Sequence, residues 1–536
     1  MLSLVYNCFS GFFLTKEFCG KIEKRMNILY PGARELVIRK TAITLCRVFL
    51  MGVLSVMALM FFADISLYYS VITATIVYVV SVSIVYNGLD KIETKMLIQL
   101  EQFITDVRYR FRFDGMIDDA LEDAINSAEY EMSLHGQLIL DTLKENVSKT
   151  YDEPYKEYAP NHFFLTFYVM CETMMIYGDK YINGNSMFLK NISYLKEDIH
   201  IELLKRKKIQ NEFMGLTGIT ILPVFAIKPI EVWALSNMPE LIEEYQSIKG
   251  TVLTILLVLF SVMIFMIIKR LKYSVDLDNV KSEWVKKMLS ISFVEKFLLS
   301  IISANYEKYF KMDRMLKSVV YKYNIKEFLL VRIVYSFVAG MIANIVGISI
   351  GLDIFSLAFG IMAMLVTYIS MYISIVLKRQ MILIMREDEV VRFQTIILIL
   401  MHMDRITVEQ ILEQMEAFAV VFKDTLEKIS DHLVFKGKKA FEEAKDEVSF
   451  VPFERLIDAF IASDRIGISS AFEDVEGDRA YYVEKHKQEN EELVKNKALI
   501  AKFIAFIPLC SVIIIKLILP FVIMGMEQVG SFEFNI

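Results

Sequence analysis

Proline and glycine are scarce in this chain of 536 residues, at nine and 21 respectively. Collagen-like, disordered and turn-rich all-β architectures draw heavily on one or both, so all three are excluded. The five cysteines are Cys8, Cys19, Cys46, Cys171 and Cys510. None forms a CxxC pair, and Cys46 and Cys510 lie in apolar runs, which argues against a disulfide framework or a structural zinc site. The six histidines are scattered, and HExxH, GxSxG and GxxxxGK[ST] are all missing. These gaps leave no expected metal, cofactor or catalytic centre, and any ATP-driven work has to use a partner's nucleotide site. An excess of positive charge is also lacking: 59 basic against 65 acidic residues give a net charge of −6. Nucleic-acid binding by bulk charge is therefore not expected.

Apolar residues are abundant, at 55% of the chain, and the mean hydropathy is +0.43. They are concentrated in seven nearly uncharged runs: roughly 48–63, 67–86, 213–235, 251–268, 333–351, 355–377 and 503–526. A membrane-crossing helix needs about 20 such residues, because the hydrocarbon core is about 30 Å thick and each residue rises about 1.5 Å. The first run is short, but Thr41–Leu45 extend it and Arg47 can reach the headgroups. Asp64-Ile65-Ser66 and Leu352-Asp353-Ile354 are too short to be anything but tight connections, so runs one and two, and runs five and six, read as helical hairpins. The apolar start at 1–16 has no basic leader and no small-residue cleavage site; it reads as an amphipathic helix on the membrane or the protein.

Basic residues orient these spans. Lys16, Lys21, Lys24, Arg25, Arg34, Arg39 and Lys40 precede the first. Lys205–Lys208 precede the third, Lys269, Arg270 and Lys272 follow the fourth, Lys378 and Arg379 follow the sixth, and Lys495, Lys497 and Lys502 precede the seventh. With seven spans all these clusters share one side, and the opposite loops hold only Lys249. The positive-inside rule puts the N-terminus in the cytoplasm and the C-terminus outside. The basic clusters at 205–208 and 269–272 read first as topology signals meeting anionic headgroups, and second as a dock for an acidic partner.

The expected organisation follows: N-terminal helices over 1–47, a first hairpin over 48–86, a cytoplasmic helical bundle over 87–212 and two spans over 213–268. Cytoplasmic linker helices fill 269–332, a second hairpin 333–377, a second bundle 378–502, and a last span with an external tail 503–536. Apolar Met96, Leu97, Leu100, Phe103, Ile104, Val107 and Phe111 recur at spacings of three and four, as do Ile411, Leu412, Met415, Phe418, Ala419, Phe422 and Leu426. The second set predicts one helix over 408–429. A shift of about 291 residues lays hairpin on hairpin, bundle on bundle and the third span on the seventh. Asp114–Leu121 then lie over Arg405–Leu412, and Pro229 over Pro520. An odd number of spans per unit would invert the second copy, and the fourth span restores its orientation. The fold class is all-α: a polytopic membrane protein with about seven spans and two cytoplasmic bundles related by an internal repeat.

This arrangement resembles the type II secretion system F domain family, the inner-membrane platform proteins of type II secretion, type IV pilus, Tad pilus and archaellum machines. Gly115-Met116-Ile117-Asp118-Asp119-Ala120-Leu121 is similar to the family's Gly-Ser-Leu-x-x-Ala-Leu-like turn. Ile406-Thr407-Val408-Glu409-Gln410-Ile411-Leu412 fits more loosely, without the glycine. Tyr177-Gly178-Asp179 and Asp464-Arg465-Ile466-Gly467 look like its acidic-glycine element. The hairpin before each bundle looks more like the Tad and archaellum members. The resemblance implies a non-enzymatic platform in the plasma membrane that couples a hexameric secretion ATPase to the addition of pilin or pseudopilin-like subunits. It also implies a homodimer or a paralogous platform partner. The rival readings are a transporter or permease with internal repeats, and a membrane signalling scaffold.

Two sets of residues are candidate contact sites. Asp114, Gly115, Arg405 and Thr407 mark two turns that would form tips facing the ATPase, with Thr407 and Gln410 spaced as a capping box. Lys228 and Lys516 lie inside apolar runs next to Pro229 and Pro520. Each lysine reads either as snorkelling to the outer headgroups or as making a polar contact within the membrane, such as with a pilin's acidic residue. The prolines are expected to kink their spans into a groove.

Overall fold

A computed structural model describes residues 6, 13–62, 67–146, 155, 158–182, 184–242, 245, 247–272, 283–318, 324–349, 353–403, 406–448, 450–522 and 524–525. Arg405, most of the apolar start, the connector at 63–66 and the C-terminal 526–536 lie outside the described residues. The structure is about 90% helical. The strands described form a single short hairpin, β1 (Tyr181–Ile182) with β2 (Asn185–Ser186), paired antiparallel.

The chain divides into two compact units. The first comprises Met1–Asp64, Ile76–Glu212 and Arg386–Asn496; the second comprises Ile65–Thr75, Phe213–Met385 and Lys497–Ile536. The first unit opens with α1 (Phe13–Leu29) and α2 (Arg34–Phe62), which pack on each other. Next comes α3 (Leu67–Asp114), 48 residues long, which at about 1.5 Å per residue reaches about 72 Å. Its stripe of Met96, Leu97, Leu100, Phe103, Ile104, Val107 and Phe111 is buried throughout. α4 (Ile117–Ser127), α5 (Tyr130–Asn146), α6 (His162–Tyr177) and α7 (Met187–Glu212) follow it. Phe103 meets Phe167 of α6 edge to face, and Phe111 meets Phe188 of α7 in the same way.

The second segment of this unit begins near the end of α14 (Asp353–Leu400), also 48 residues. It continues through α15 (Val408–Phe418), α16 (Lys423–Lys436), α17 (Lys438–Val448), α18 (Val451–Ile466), the short α19 (Ile468–Ala471) and the first half of α20 (Glu473–Ile513). The single helix expected over 408–429 is broken after Phe418. All seven residues of its apolar stripe are buried as expected, but Ala419–Phe422 leave the helix. The cause lies on another element: the carboxylate of Glu389, itself 1% exposed, accepts from the backbone N–H groups of Val420, Val421 and Phe422 at 2.9, 2.7 and 3.0 Å. Those donors immediately precede α16, whose N-terminal end favours a negative charge. Glu389→Gln is expected to cost about 2–3 kcal/mol, since it weakens three charge-assisted bonds at once. Thermal denaturation of the purified variant checks this.

The second unit holds α8 (Leu216–Asn237) packed along α9 (Ile248–Lys272), three short helices α10 (Glu283–Leu289), α11 (Ser292–Ala304) and α12 (Tyr306–Ser318), and then α13 (Ile325–Ser349). It also takes most of α14 and the end of α20. α13 and α14 approach closely at glycines: a Cβ on Gly340 would sit 3.1 Å from the Gly360 carbonyl, and one on Gly347 would sit 2.7 Å from Ser356 Cβ. Small residues at such crossings let apolar helices pack backbone to backbone.

Among the described residues four helices are long and apolar enough to cross a membrane: Gly218–Asn237, Ile325–Ile345, Gly360–Leu400 and Arg479–Val522. Leu253–Lys269 is a shorter apolar helix. These cover five of the seven apolar runs; the other two fall on α2 and the start of α3. Four such helices fit a multi-pass membrane protein.

Candidate functional site

The turn candidates form as spaced in the sequence. α3 stops at Asp114 because Gly115 takes φ +68°, a left-handed conformation costing a residue with a Cβ about 1–2 kcal/mol. Gly115 N–H closes the helix on the Phe111 carbonyl at 2.9 Å. In the other turn, Thr407 Oγ1 accepts from Gln410 N–H at 3.3 Å, and Gln410 Oε1 accepts from Thr407 N–H at 3.0 Å, a complete capping box. Arg405 lies outside the described residues. The two acidic-glycine elements also behave alike, with Gly178 (φ +74°) ending α6 and Gly467 (φ +83°) ending α18.

The two lysines within apolar runs part company. Lys228 is half-buried in α8, one residue before the exposed Pro229. Lys516 is buried, 2% exposed, and snorkelling is overturned for it. Its Nζ lies 2.5 Å from Oε1 of Glu231 on α8 and 5.4 Å from the centre of the Tyr245 ring. Burial in an apolar setting makes an ammonium costly unless it is paired, and Glu231 supplies the counter-charge. Residues Ile514–Ile518 around Lys516 form a π-helical turn. Pro520, which is buried, has no N–H to offer the carbonyl four residues earlier, that of Lys516. The Tyr245 hydroxyl donates to that carbonyl instead, at 2.5 Å. Lysine, proline and tyrosine thus form one local arrangement in which each polar group is answered. No local pattern in the sequence pairs Glu231 or Tyr245 with Lys516. Glu231, a carboxylate inside the apolar run that also carries Lys228, was the signal available.

A second polar cluster lies in the first unit. Arg479 of α20, 2% exposed, donates through Nη2 to both carboxylate oxygens of Asp198 on α7, at 2.9 and 3.1 Å. Through Nη1 it donates to Thr395 Oγ1 of α14 at 2.8 Å, and Thr395 donates to Asp198 at 3.0 Å. The guanidinium lies 4.5 Å from the Tyr194 ring centre. Three of the four residues of the basic cluster at 205–208 are paired within this unit, while Lys207 is exposed. Lys205 pairs with Asp388 at 3.0 Å, Arg206 with Glu202 at 2.8 Å, and Lys208 with Glu491 at 2.9 Å.

His135 on α5 is a buried switch point for stability. Its Nε2 donates to the Leu29 carbonyl at 3.2 Å, and its Nδ1 has no hydrogen-bond partner among the described residues. Burial pushes its pKa down to about 4 from the ordinary value of 6.5, with the Leu29 contact opposing. The depressed value means that the unfolded chain takes up this proton first. Stability is therefore full above pH 6.5 and falls as pH drops towards 4, by about 3 kcal/mol in all. His135→Gln, which keeps a donor for Leu29, is expected to remove that part of the acid sensitivity, read as thermal melts at pH 7.5, 5.5 and 4.5.

Comparison with known proteins gives no matching family model, no similar curated protein and no similar solved structure.

Proposed function

We propose that this chain is an integral plasma-membrane platform of a type II secretion or type IV pilus-like machine, built from a unit of helix, apolar hairpin, helical bundle and span used twice. The reading takes seven spans, with the N-terminus in the cytoplasm and the C-terminus outside. The observation that carries it is a matched order of elements. α3 and α14 are each 48 residues, α4 and α15 each 11, and α6 and α18 each 16 and each ended by a glycine of positive φ. Between these pairs the match loosens, since α5 of 17 residues stands where α16 and α17 of 14 and 11 do, and similarity in order at a fixed offset is what a diverged duplication leaves.

In this reading the chain carries out no chemistry. A hexameric secretion ATPase engages the Gly115 and Thr407 turns from the cytoplasm, pilin-like subunits meet the spans, and a second copy or a paralogous platform completes the assembly. Affinity purification of the full chain from its native membrane is expected to recover the ATPase, and loss of the chain to abolish surface filaments or secretion. External protease cutting within 87–212 or 378–502 on intact cells would overturn the reading. The transporter reading is favoured by one observation, the Lys516–Glu231 pair, since charges in spans often line pathways. Solute uptake by the purified chain alone in liposomes would decide for that alternative.

A further inference from the structure

The linker helices α10–α12 were expected to be cytoplasmic, yet α11 is apolar on two sides. One side is core: Leu298 of α11, with Val285, Tyr309, Met312 and Leu316 from its neighbours, packs on Phe328–Val331 of α13 and Ile375 of α14. The other side is bare. Phe293 is 80% exposed and Phe297, one turn on, 53%, and Ile291 just before the helix and Tyr306 and Phe310 on α12 are exposed as well. An isolated exposed apolar side chain is ordinary, but a contiguous aromatic face marks a binding surface.

Three observations identify what covers it. First, the core of this helix cluster is built on Phe328–Val331 and Ile375, which lie within the apolar helices Ile325–Ile345 and Gly360–Leu400, and the next turns of α13 expose Tyr335, Phe337 and Val338. Second, the junction has the composition of a headgroup layer. Arg332 is 5% exposed, lies 3.5 Å from the Tyr368 ring centre and donates to the Tyr368 carbonyl at 2.8 Å, with Tyr372 close by. Tyrosine and arginine concentrate at the level where the acyl chains meet water. Third, residues 283–318 hold seven basic and four acidic residues in a chain whose net charge is −6, and among them Lys296, Lys308, Lys311 and Arg314 are exposed. A basic, aromatic amphipathic surface is the signature of a helix lying in the membrane plane.

We infer that α11 and the start of α12 lie in the cytoplasmic interface of the bilayer, with Phe293, Phe297, Tyr306 and Phe310 inserted among anionic lipids. This goes beyond the platform reading and holds for any function, because it depends only on the spans. Phe293 and Phe297 then act as an anchor that fixes the height of α13 in the membrane.

The test uses the full chain in liposomes of phosphatidylcholine and phosphatidylglycerol, with bromine placed either high or low on the acyl chains. Phe293→Trp and Phe297→Trp each add a fluorophore over the native background. Because such a face sits about 5–10 Å into the headgroup–acyl boundary, the added emission is expected to fall with bromine high on the acyl chains and by less with bromine near the bilayer centre. Phe435→Trp, at an 89% exposed site in the first unit, serves as the aqueous control, and Val338→Trp as the span control. Quenching of both α11 reporters by aqueous iodide as strongly as Phe435→Trp, with none by bromine, overturns the inference. Shielding from both quenchers means that protein covers the face, and overturns it equally. Absence of bromine quenching at Val338→Trp as well would instead remove the membrane placement on which the platform rests.

Discussion

Lys516→Leu alone is expected to destabilise the protein by about 3–5 kcal/mol, the usual cost of leaving one member of a buried ion pair without the other. Glu231 would then stay in an apolar setting, its side chain 16% exposed, with no cation to answer it. The double variant Lys516→Leu/Glu231→Leu removes both charges and is expected to return close to the parent, because the desolvation costs disappear together with the attraction. Melting temperature in detergent and yield from the membrane read both variants. A double variant as unstable as the single would show that the pair is not the unit of stability. Lys228→Leu, at a half-buried site, is expected to have a smaller effect than Lys516→Leu.

The second large effect is expected at Arg479. Arg479→Met keeps an unbranched apolar stem but removes the guanidinium, which strips Asp198 of two hydrogen bonds and Thr395 of one. Asp198 is 14% exposed and cannot be fully hydrated in place, so a loss of about 3–5 kcal/mol is expected. Adding Asp198→Asn should recover a large part of it, and the double-mutant cycle measures the coupling. Because α7, α14 and α20 meet at this point, limited proteolysis should show the segments around Tyr194 and Thr395 becoming cleavable together. Independent loosening of only one of them would argue against a shared interior.

Much of the fold was legible because helices announce their buried face locally. The stripes on α3 and over 411–426 were readable from spacings of three and four alone, since the backbone period turns those positions to one side whatever they pack against. The Thr407–Gln410 box and the Gly115 stop were legible for the same reason: donor, acceptor and required φ all lie within a few residues. The break at Ala419–Phe422 was not legible. No proline or glycine marks it, and its cause, Glu389, is some 30 residues away. Lys516 stands out as an ammonium in an apolar run, but its partner on α8 lies 285 residues earlier in the chain. Composition could state that a buried ammonium needs an anion; it could not state which one.

The sequence by itself determined a helical, membrane-suited chain with charged helical segments between its apolar ones, because hydropathy and period are properties of neighbouring residues. Only the tertiary structure decided that residues 87–212 and the segment from 386 to 496 share one compact unit, that Lys205, Arg206 and Lys208 find acidic partners within it, and that an apolar face of α11 is left bare. Those outcomes depend on which distant side chains come within a few ångströms of one another, and Coulomb and packing energies at that range are fixed by the folded coordinates rather than by order along the chain.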